Sequence, residues 1–543
     1  MVKKKPKAYA ISGSCDSCGT CEPQCPTGAI QLDEGRYWIE PGLCNQCEGY
    51  YAKPLCLENC ALESPIPLKP KKGRNKAPQR IPTHTDLFIN NNQHPFASAM
   101  AIWEGCTILS SAPVLSWDAD EKGHPFYRRP VKQGRGEMTF WLAKDPKSKS
   151  LKRMRGAAAY ATLEAIDPRS ACLHLIFAAC ATTLEQPWEE EFTISDRQIE
   201  QYLGLDKRKD MSKTDKLTLI KGLVRQACRI LATIQWPQQG KINGFSVEMD
   251  RLWHLPYTKH HFQEDSEGCR HLVGLTFKIR AGMWSKYFLN KQDYRKRSAF
   301  YQYGHLPEFV LNAVMSIWQQ HIGAARLILW LLFKSKMGLR QSVAVPTLMR
   351  VAYGLEKIEA ANCDREKRKR LLRTFESDLE VLNRYGINPV FDPETYPEDI
   401  QPLWAKLANL PDDAEEALDF WINDGSRDRR LTDSSPRGKW LRLSKAKISH
   451  FEFPSEWAQS LTKLEKKRQH KSSRKSQSRP SADLSADAIS EARKNLGMSQ
   501  RELAKVAGKS QSWIRDLEKG RFRAKPEDRV RLQEVLGLTR SPE

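Results

Sequence analysis

Long apolar segments are missing from this sequence of 543 residues. The strongest apolar run, from Leu327 to Phe333, has Arg326 at its edge, whereas a membrane-spanning helix needs about 20 apolar residues. The chain opens with Met1-Val2-Lys3-Lys4-Lys5, which lacks the apolar core of a signal peptide. We therefore expect a soluble, cytoplasmic protein with no membrane partner, in which the Leu327 run forms a buried helix.

The sequence also lacks the motifs of the common catalytic sites. It contains no G-x4-G-K-[ST], no H-E-x-x-H and no G-x-S-x-G, the patterns that cradle phosphates, hold a catalytic zinc ion or present a nucleophilic serine. The sequence therefore does not predict an enzyme.

Cysteines are scarce outside one stretch near the N-terminus. Six of the fourteen are scattered and show no ligand spacing: Cys106, Cys172, Cys180, Cys228, Cys269 and Cys363. Cys172, Cys180 and Cys228 lie in apolar helical sequence, which indicates core packing.

The other eight cysteines form two runs. They read C-x2-C-x2-C-x3-C-P and C-x2-C-x8-C-x3-C, at Cys15, Cys18, Cys21, Cys25, Cys44, Cys47, Cys56 and Cys60. A cubane cluster needs four converging thiolates, and a C-x2-C-x2-C loop wraps around three of them. The spacing therefore indicates iron–sulfur ligation. Zinc fits less well because it normally takes two well-separated C-x2-C pairs, and disulfides fit less well because an intracellular compartment keeps thiols reduced.

The first run resembles bacterial-type 2[4Fe-4S] ferredoxins. Pro26 follows Cys25, and Thr27-Gly28-Ala29-Ile30 continues the likeness, although Ala61 follows Cys60 where Pro is usual. In such ferredoxins the fourth cysteine of each run binds the other cluster. The resemblance therefore implies two [4Fe-4S] clusters with these ligands: Cys15, Cys18, Cys21 and Cys60 for the first, and Cys44, Cys47, Cys56 and Cys25 for the second.

Charge separates the two ends of the chain. The net charge is +22 and the pI about 9.4, which favours polyanionic partners and nucleic acid above all. Residues 1–60 carry six basic and seven acidic side chains, whereas residues 461–543 carry 21 and 11. We therefore expect the cysteine-rich N-terminal end and the basic C-terminal end to have different functions.

The middle region contains two predicted helix-and-strand sets. In the first set, a short helix begins at Ser195. A second helix carries an apolar face made of Leu217, Ile220, Val224, Ala227, Cys228 and Leu231. Two strands then alternate in hydrophobicity, one at Phe245, Val247 and Met249 and the other at Val273, Leu275, Phe277 and Ile279. Two helices followed by paired strands are the order of a winged helix-turn-helix.

The second set repeats that character. Helices are predicted for Ala325 to Phe333 and for Arg365 to Tyr385, where Gly386 stands at the left-handed C-cap position. Val343 to Met349 is a short extended or helical segment. Two such units in tandem resemble plasmid replication initiators.

A polar patch in the first set leaves two interpretations open. It consists of His260, His261, Glu264, Asp265, Glu267, Cys269 and His271. These residues suit a metal site, and they suit equally a solvated loop between two strands.

The last sixty residues resemble the phage-repressor (XRE or Cro/C1) type of helix-turn-helix. Ser499 and Glu502 form a capping box for the second helix, Ala507-Gly508-Lys509 supplies the turn, and Ser510 caps the third helix. Ile514 and Leu517 should face inward.

In that fold the third helix lies in the major groove with its first residues at base edges. The resemblance implies DNA contacts from Gln500, Ser510, Gln511, Ser512, Trp513 and Arg515. Gln500 is expected to meet a phosphate or support Gln511, whereas Trp513 either contacts DNA or packs against its own helix.

The fold class we predict is multidomain α+β. Its parts are a small ferredoxin-like domain at 1–63, a Pro/Lys-rich linker at 64–85, a mostly helical middle region with winged-helix-like units at 86–460, a basic Ser-rich linker at 461–483 and an all-α helix-turn-helix domain at 484–540.

As a whole the chain resembles the PatB/CnfR family of cyanobacterial regulators, which activate nitrogen-fixation genes under low oxygen. The resemblance implies a transcriptional activator whose clusters report oxygen or redox state. Double-stranded DNA is the expected partner, with RNA polymerase, a redox partner and a second copy of the chain as further candidates. A replication or transposition initiator with structural clusters and a DNA-tethered electron-transfer protein are the alternatives.

Overall fold

The computed structural model describes residues 8–68, 81–89, 93–148, 150–338, 340–408, 414–425, 433, 436–459, 461–462, 486–521, 524 and 526–538. The chain divides into two compact units, Met1–Thr462 and Lys463–Glu543. Most of the predicted linker at 64–85 and of the basic linker at 461–483 lies outside the described residues.

The first unit begins with a small cysteine-rich part, residues 8–68, which we call the cysteine module. Its elements are β1 (Tyr9–Ile11), β2 (Ile30–Asp33), β3 (Arg36–Ile39), α1 (Leu55–Glu58) and β4 (Pro65–Pro67). Strand β1 pairs with β4, and β2 forms a hairpin with β3. The hairpin turn has positive φ at Glu34 and Gly35, as a tight two-residue turn requires.

The cysteine module has little apolar core of its own. Its buried apolar cluster comprises Ile11, Ala29, Ile30 and Ile39, with several cysteines packed against it. So small a cluster stabilises a fold weakly, because apolar burial contributes about 25 cal/mol per Å². The module therefore depends on further interactions.

The rest of the first unit mixes helices and strands. Up to the end of the first set the elements are β5 (Gln93–Ala97), α2 (Met100–Ser111), β6 (Asp118–Ala119), β7 (Pro125–Val131), β8 (Gly136–Leu142), α3 (Gly156–Glu164), α4 (Ser170–Ala181), β9 (Glu191–Ser195), α5 (Asp196–Tyr202), α6 (Lys213–Ala227), β10 (Ile230–Trp236), β11 (Phe245–Arg251), β12 (Trp253–Glu264) and β13 (Arg270–Ala281). Beyond them come α7 (Trp284–Phe288), α8 (Lys291–Arg295), β14 (Tyr303–Pro307), α9 (Glu308–Ile317), α10 (Ile322–Lys334), β15 (Val343–Ala344), α11 (Val345–Tyr353), α12 (Leu355–Cys363), α13 (Arg365–Arg384), β16 (Asn388–Phe391), α14 (Leu403–Leu407), α15 (Ala414–Gly425), α16 (Lys439–Leu443) and β17 (Lys447–Glu452).

The first helix-and-strand set runs from α4 to β13. Helices α5 and α6 both begin with a capping box, at Ser195 and Ser212. The predicted apolar face of α6 is buried, but Leu231, which was predicted on the same helix, lies in β10. The sheet has the order β12-β13-β9, and a separate five-stranded sheet has the order β11-β10-β8-β7-β6.

The predicted pairing of the two strands in this set is wrong. The segments at Phe245 and Val273 are strands, but β11 pairs with β10, and β13 pairs with β12 and β9. Strand β12 escaped prediction because its buried side chains include Thr258 and His260. A polar strand of this kind shows no apolar alternation.

The second set runs from α10 to β17, and its sheet has the order β15-β17-β16. The predicted helices are confirmed as α10 and α13, and Gly386 has φ +75°. The Val343 segment is extended for two residues and then helical. The Leu327 run is buried in α10, and none of the helices in the described part of the chain has the length and apolar character needed to traverse a bilayer.

The second unit contains a helical bundle. Its helices are α17 (Ala486–Asn495), α18 (Gln500–Ala507), α19 (Gln511–Glu518) and α20 (Pro526–Val535). They enclose their own core, which includes Ile489, Leu503, Ile514, Leu517 and Leu532.

Candidate functional site

The eight clustered cysteines surround two separate cavities. One is lined by Cys15, Cys18, Cys21 and Cys60. The other is lined by Cys25, Cys44, Cys47 and Cys56. Each cavity thus takes three cysteines from one run and one from the other, and the donor set in each is four sulfur atoms, which suits an iron–sulfur cluster.

Backbone turns within the two runs aim the thiols into the cavities. Ser17 in the first loop and Gln46 and Cys47 in the second have φ near +60°. Several donors reach the sulfurs: Ser17 N lies 3.4 Å from Cys15 Sγ, and Ala29 N lies 3.3 Å from Cys25 Sγ. Such N–H groups stabilise a charged sulfur.

One buried thiol beside each cavity has a raised pKa. Burial raises the pKa of Cys21 to about 11, with Cys15, Cys18 and Cys60 contributing.

Burial also raises the pKa of Cys56 to about 12, chiefly with Cys44 and Cys47. Thiolates this crowded need a positive charge between them, as a metal cluster supplies.

The structure does not use these cysteines in disulfides. All fourteen cysteines of the chain lie in described ranges, and none of them forms a disulfide. Cys172, Cys180 and Cys228 are fully buried, which confirms their packing role. Within the described ranges no three His, Cys, Asp or Glu side chains are arranged to hold a single metal ion.

The side chains of the polar patch at the β12–β13 turn contact separate partners and do not converge on a common metal site. His261 Nε2 lies 2.8 Å from Thr276 Oγ1, His271 Nε2 lies 2.7 Å from Asp265 Oδ2, and Cys269 is buried. His260 faces the cysteine module, where burial and then Lys221 lower its pKa to about 3. The patch therefore serves the hairpin and its contacts.

The cysteine module sits directly on α6 and on the β12–β13 hairpin. Trp38 of β3 is only 2% exposed and belongs to the main core of the first unit. Its ring lies 5.0 Å from that of Phe262 and 5.2 Å from that of His260, centroid to centroid, and Lys221 Nζ lies 5.4 Å from its centroid.

Ion pairs surround Trp38. Glu40 Oε2 lies 2.8 Å from Lys221 Nζ, with both side chains buried. Arg36 pairs with Glu264 at 2.5 Å. Asp33 accepts a hydrogen bond from Arg270 at its backbone carbonyl, 3.0 Å away. The contact therefore pairs charges in both directions: Glu40 of the module faces Lys221, and Arg36 of the module faces Glu264 of the hairpin.

Both cysteine loops begin at this interface. Glu40 accepts the backbone N–H of Cys44 at 3.1 Å while its carboxylate holds Lys221. Gly42 lies so close to α6 that a Cβ there would be 2.3 Å from Thr218 Cγ2.

The first loop begins in the same way at the hairpin. Gly13 N donates to Glu267 O at 3.0 Å, and Cys15 N then donates to Ser12 O at 3.3 Å.

In the second unit the predicted caps are confirmed. Ser499 and Glu502 form a capping box, Gly508 is left-handed, and Ser510 Oγ accepts Trp513 N at 3.2 Å. Ile514 and Leu517 are buried.

Three of the residues nominated for DNA contact, Gln511, Ser512 and Arg515, are exposed on α19. Trp513 is half-buried against the core of the bundle, with Lys509 Nζ 5.3 Å from its ring centroid.

Gln500 has a role that the sequence did not indicate. Its Nε2 donates to Glu518 Oε2 at 2.7 Å, and Arg493 Nε donates to Glu518 Oε1 at 2.6 Å. The side chain therefore braces α18 against α19. The missed residues are Arg493 and Glu518, whose only sequence signal is the Leu517-Glu518-Lys519-Gly520 segment.

Comparisons with known proteins match the two ends of the chain. Residues 489–541 match a helix-turn-helix family, and residues 9–31 match a 4Fe-4S binding domain. Ferredoxin-1 of Chlorobaculum tepidum is 41% identical over 56 residues, which cover 90% of that protein and 10% of this chain. The N-terminal part of the chain belongs to the ferredoxin family. The cysteine module is therefore a ferredoxin domain, and the C-terminal match indicates a DNA-binding regulator.

Other relatives match the ferredoxin domain. A "ferredoxin-like protein in nif region" of Bradyrhizobium diazoefficiens is 34% identical over 68 residues, 92% of that protein and 12% of this chain. Ferredoxin Fdx2 of Sorangium cellulosum is 40% identical over 60 residues, 11% of this chain, and the match spans 59% of that protein.

A solved structure of domains 2 and 3 of RctB aligns with 51% of this chain and 85% of its own. The TM-score is 0.26 and the identity 12%, so this likeness establishes neither fold nor function.

The brace in the second unit predicts a pH-dependent stability. Burial raises the pKa of Glu518, but hydrogen bonds from Arg493 and Gln500 lower it overall. Replacing Glu518 by Gln should destabilise the C-terminal unit by about 2 kcal/mol at pH 7, as loss of hydrogen bonds to a charged group does. The carboxylate's contribution is complete above its ordinary pKa and is lost as pH falls through the lowered one.

Thermal unfolding of the wild-type and variant chains between pH 3 and 7 measures this difference. The exposed Glu491→Gln is the matched control and should leave the Tm unchanged. A Glu518→Gln penalty that stays constant down to pH 3 would argue against the ionised brace.

The buried pair at the interface predicts an asymmetric double-mutant cycle. Glu40→Met should destabilise the first unit by about 3 kcal/mol, because it leaves Lys221 buried without its partner. The double variant Glu40→Met/Lys221→Met should be more stable than Glu40→Met alone. Thermal unfolding of the full chain measures both, and equal losses from the single and double variants would contradict the pairing.

Proposed function

We propose that this protein is a transcriptional activator of nitrogen-fixation genes under low oxygen, with two [4Fe-4S] clusters that sense oxygen or redox state. The observation that carries the proposal is the union of a ferredoxin domain and a helix-turn-helix in one chain, with the ferredoxin domain seated on the middle region. The resemblance to PatB/CnfR regulators and the relative named for a nif region support the choice of target genes.

The proposed ligand sets follow the two cavities. Cys15, Cys18, Cys21 and Cys60 hold one cluster, and Cys25, Cys44, Cys47 and Cys56 hold the other. A bound [4Fe-4S] cluster supplies a one-electron redox centre that oxygen destroys. The protein's own residues contribute the thiolates, the N–H groups aimed at them and the seat on α6.

We further propose that the two helix-and-strand sets are winged-helix units. The strand orders β12-β13-β9 and β15-β17-β16 support this, because in each sheet the last strand of the set lies between the other two. Each set also begins with a helix, a strand and further helices: α4, β9, α5 and α6 in the first, and α10, β15, α11, α12 and α13 in the second.

On this proposal, α19 reads DNA. Its exposed face carries Gln511 and Arg515, which suit adenine and guanine edges, while Ser510 and Ser512 suit phosphates. RNA polymerase and a redox partner are the further partners we propose, and a second copy of the chain would match a palindromic operator.

Iron analysis tests the cluster assignment. Protein purified without oxygen should contain about eight iron atoms per chain, because each cubane holds four. Cys21→Ser should lower the iron content by about half, whereas Cys363→Ser, an exposed cysteine outside both cavities, should not change it. Stoichiometric zinc with little iron would refute the assignment.

Substitutions on α19 test the proposed contacts with DNA bases. Gln511→Ala or Arg515→Ala should weaken binding to the specific site by about 1 to 3 kcal/mol and relax the preference at one base pair. Neutralising Lys471, Arg474 and Lys475 should weaken all sequences alike and flatten the salt dependence. Competition assays with specific and random duplexes distinguish the two, and equal losses on both duplexes from Gln511→Ala would contradict the proposed orientation.

A further inference from the structure

The ferredoxin domain covers the two elements of the first set that a DNA-binding unit would use. Helix α6 is the second helix of the α5–α6 pair, and in a helix-turn-helix the second helix enters the major groove. The domain contacts α6 at Thr218 and Lys221 and contacts the β12–β13 hairpin at Glu264 and Glu267.

The covered face is basic around α6. Arg225 lies close enough to lower the pKa of both Lys147 and Lys221, although burial is the larger cause for each lysine. Arg225 Nε is buried and makes no hydrogen bond within the described part of the chain. On the hairpin, Arg270 adds a further cation.

The ferredoxin domain supplies the acids that face these cations. Glu40 pairs with Lys221, and Asp33 raises the pKa of Lys147 by its charge and accepts Arg270 at its carbonyl. The middle region itself contributes Asp145 beside Lys147. Without the domain, Lys221 would lose its buried carboxylate partner, which is costly unless water or another anion replaces Glu40. Glu264 of the hairpin would lose Arg36 at the same time, but it also lies 3.8 Å from Arg270.

We propose that α6 and the β12–β13 hairpin form a second DNA-binding surface, for duplex phosphates, which the folded ferredoxin domain covers. Glu40 and Asp33 occupy the positions that phosphates take when the surface is open. The surface binds DNA without base selectivity, because its cations are point charges toward the backbone.

The attachment of the cysteine loops links the clusters to the release of the ferredoxin domain from α6 and the hairpin. The loop that carries Cys44 is attached at Glu40 and Gly42, and the loop that carries Cys15 begins at Gly13. A change in either loop therefore acts directly on a contact with α6 or the hairpin. This step rests on the proposed function, since it makes the clusters the control of the cover.

The test uses the full-length protein carrying Gln511→Ala/Arg515→Ala, which removes the proposed specific DNA binding by α19. Binding to a random-sequence duplex of about 30 base pairs is measured by fluorescence anisotropy from about 50 to 200 mM salt, without oxygen. Glu40→Gln is added to weaken the contact between the ferredoxin domain and α6, and measurement of the iron content shows that the clusters remain.

Loosening the cover should raise random-duplex affinity on the order of tenfold at the lowest salt and steepen the log–log salt slope by about 2, as two new phosphate contacts would. Adding Lys221→Gln/Arg225→Gln should abolish the gain. The matched control removes two exposed cations of the second set, by Lys357→Gln/Arg384→Gln, and should leave the gain intact.

Trp38→Ala provides a second way to loosen the cover if Glu40→Gln fails to fold. No gain with either variant, or a gain that survives Lys221→Gln/Arg225→Gln, overturns the proposal. The proposed function is judged separately, by iron content and by specific binding with an intact α19, so the two can fail independently.

Discussion

The contact between Glu40 and Lys221 determines how the first unit is organised. Both side chains are buried, and a buried charge that loses its partner is strongly destabilising. The pair therefore favours one position of the ferredoxin domain, because any displacement of the domain would separate the two buried charges. Trp38 fills the space beside the pair and joins the domain to the main core.

This seat compensates for a domain that is poorly able to stabilise itself. Its own buried apolar cluster has four small or medium side chains, so iron–sulfur binding by its cysteines and the contact with α6 must supply much of its stability. A domain held in this way couples the state of its metal centres to the surface beneath it, because both cysteine loops start at contact residues.

The local features of the chain were accessible from its sequence. Cysteine spacing indicated an iron–sulfur site, the resemblance to ferredoxins implied how the eight cysteines divide, and capping residues such as Ser499 and Ser510 located the ends of helices in the C-terminal unit. These signals are readable because each depends on residues only two to four positions apart. Strand β12 was missed for the converse reason: its buried His260 is accommodated by Trp38, a residue distant in sequence.

The sequence by itself determined that eight thiols form two groups of four, that α19 presents Gln511 and Arg515, and that two helix-and-strand sets lie between. Only the tertiary structure decided where the ferredoxin domain sits, that Gln500 binds Glu518, and that the basic flank of α6 is covered. Glu40 and Lys221 are 181 positions apart. No local pattern can reveal such a pair, because its stabilisation comes from burial that exists only after the chain has folded.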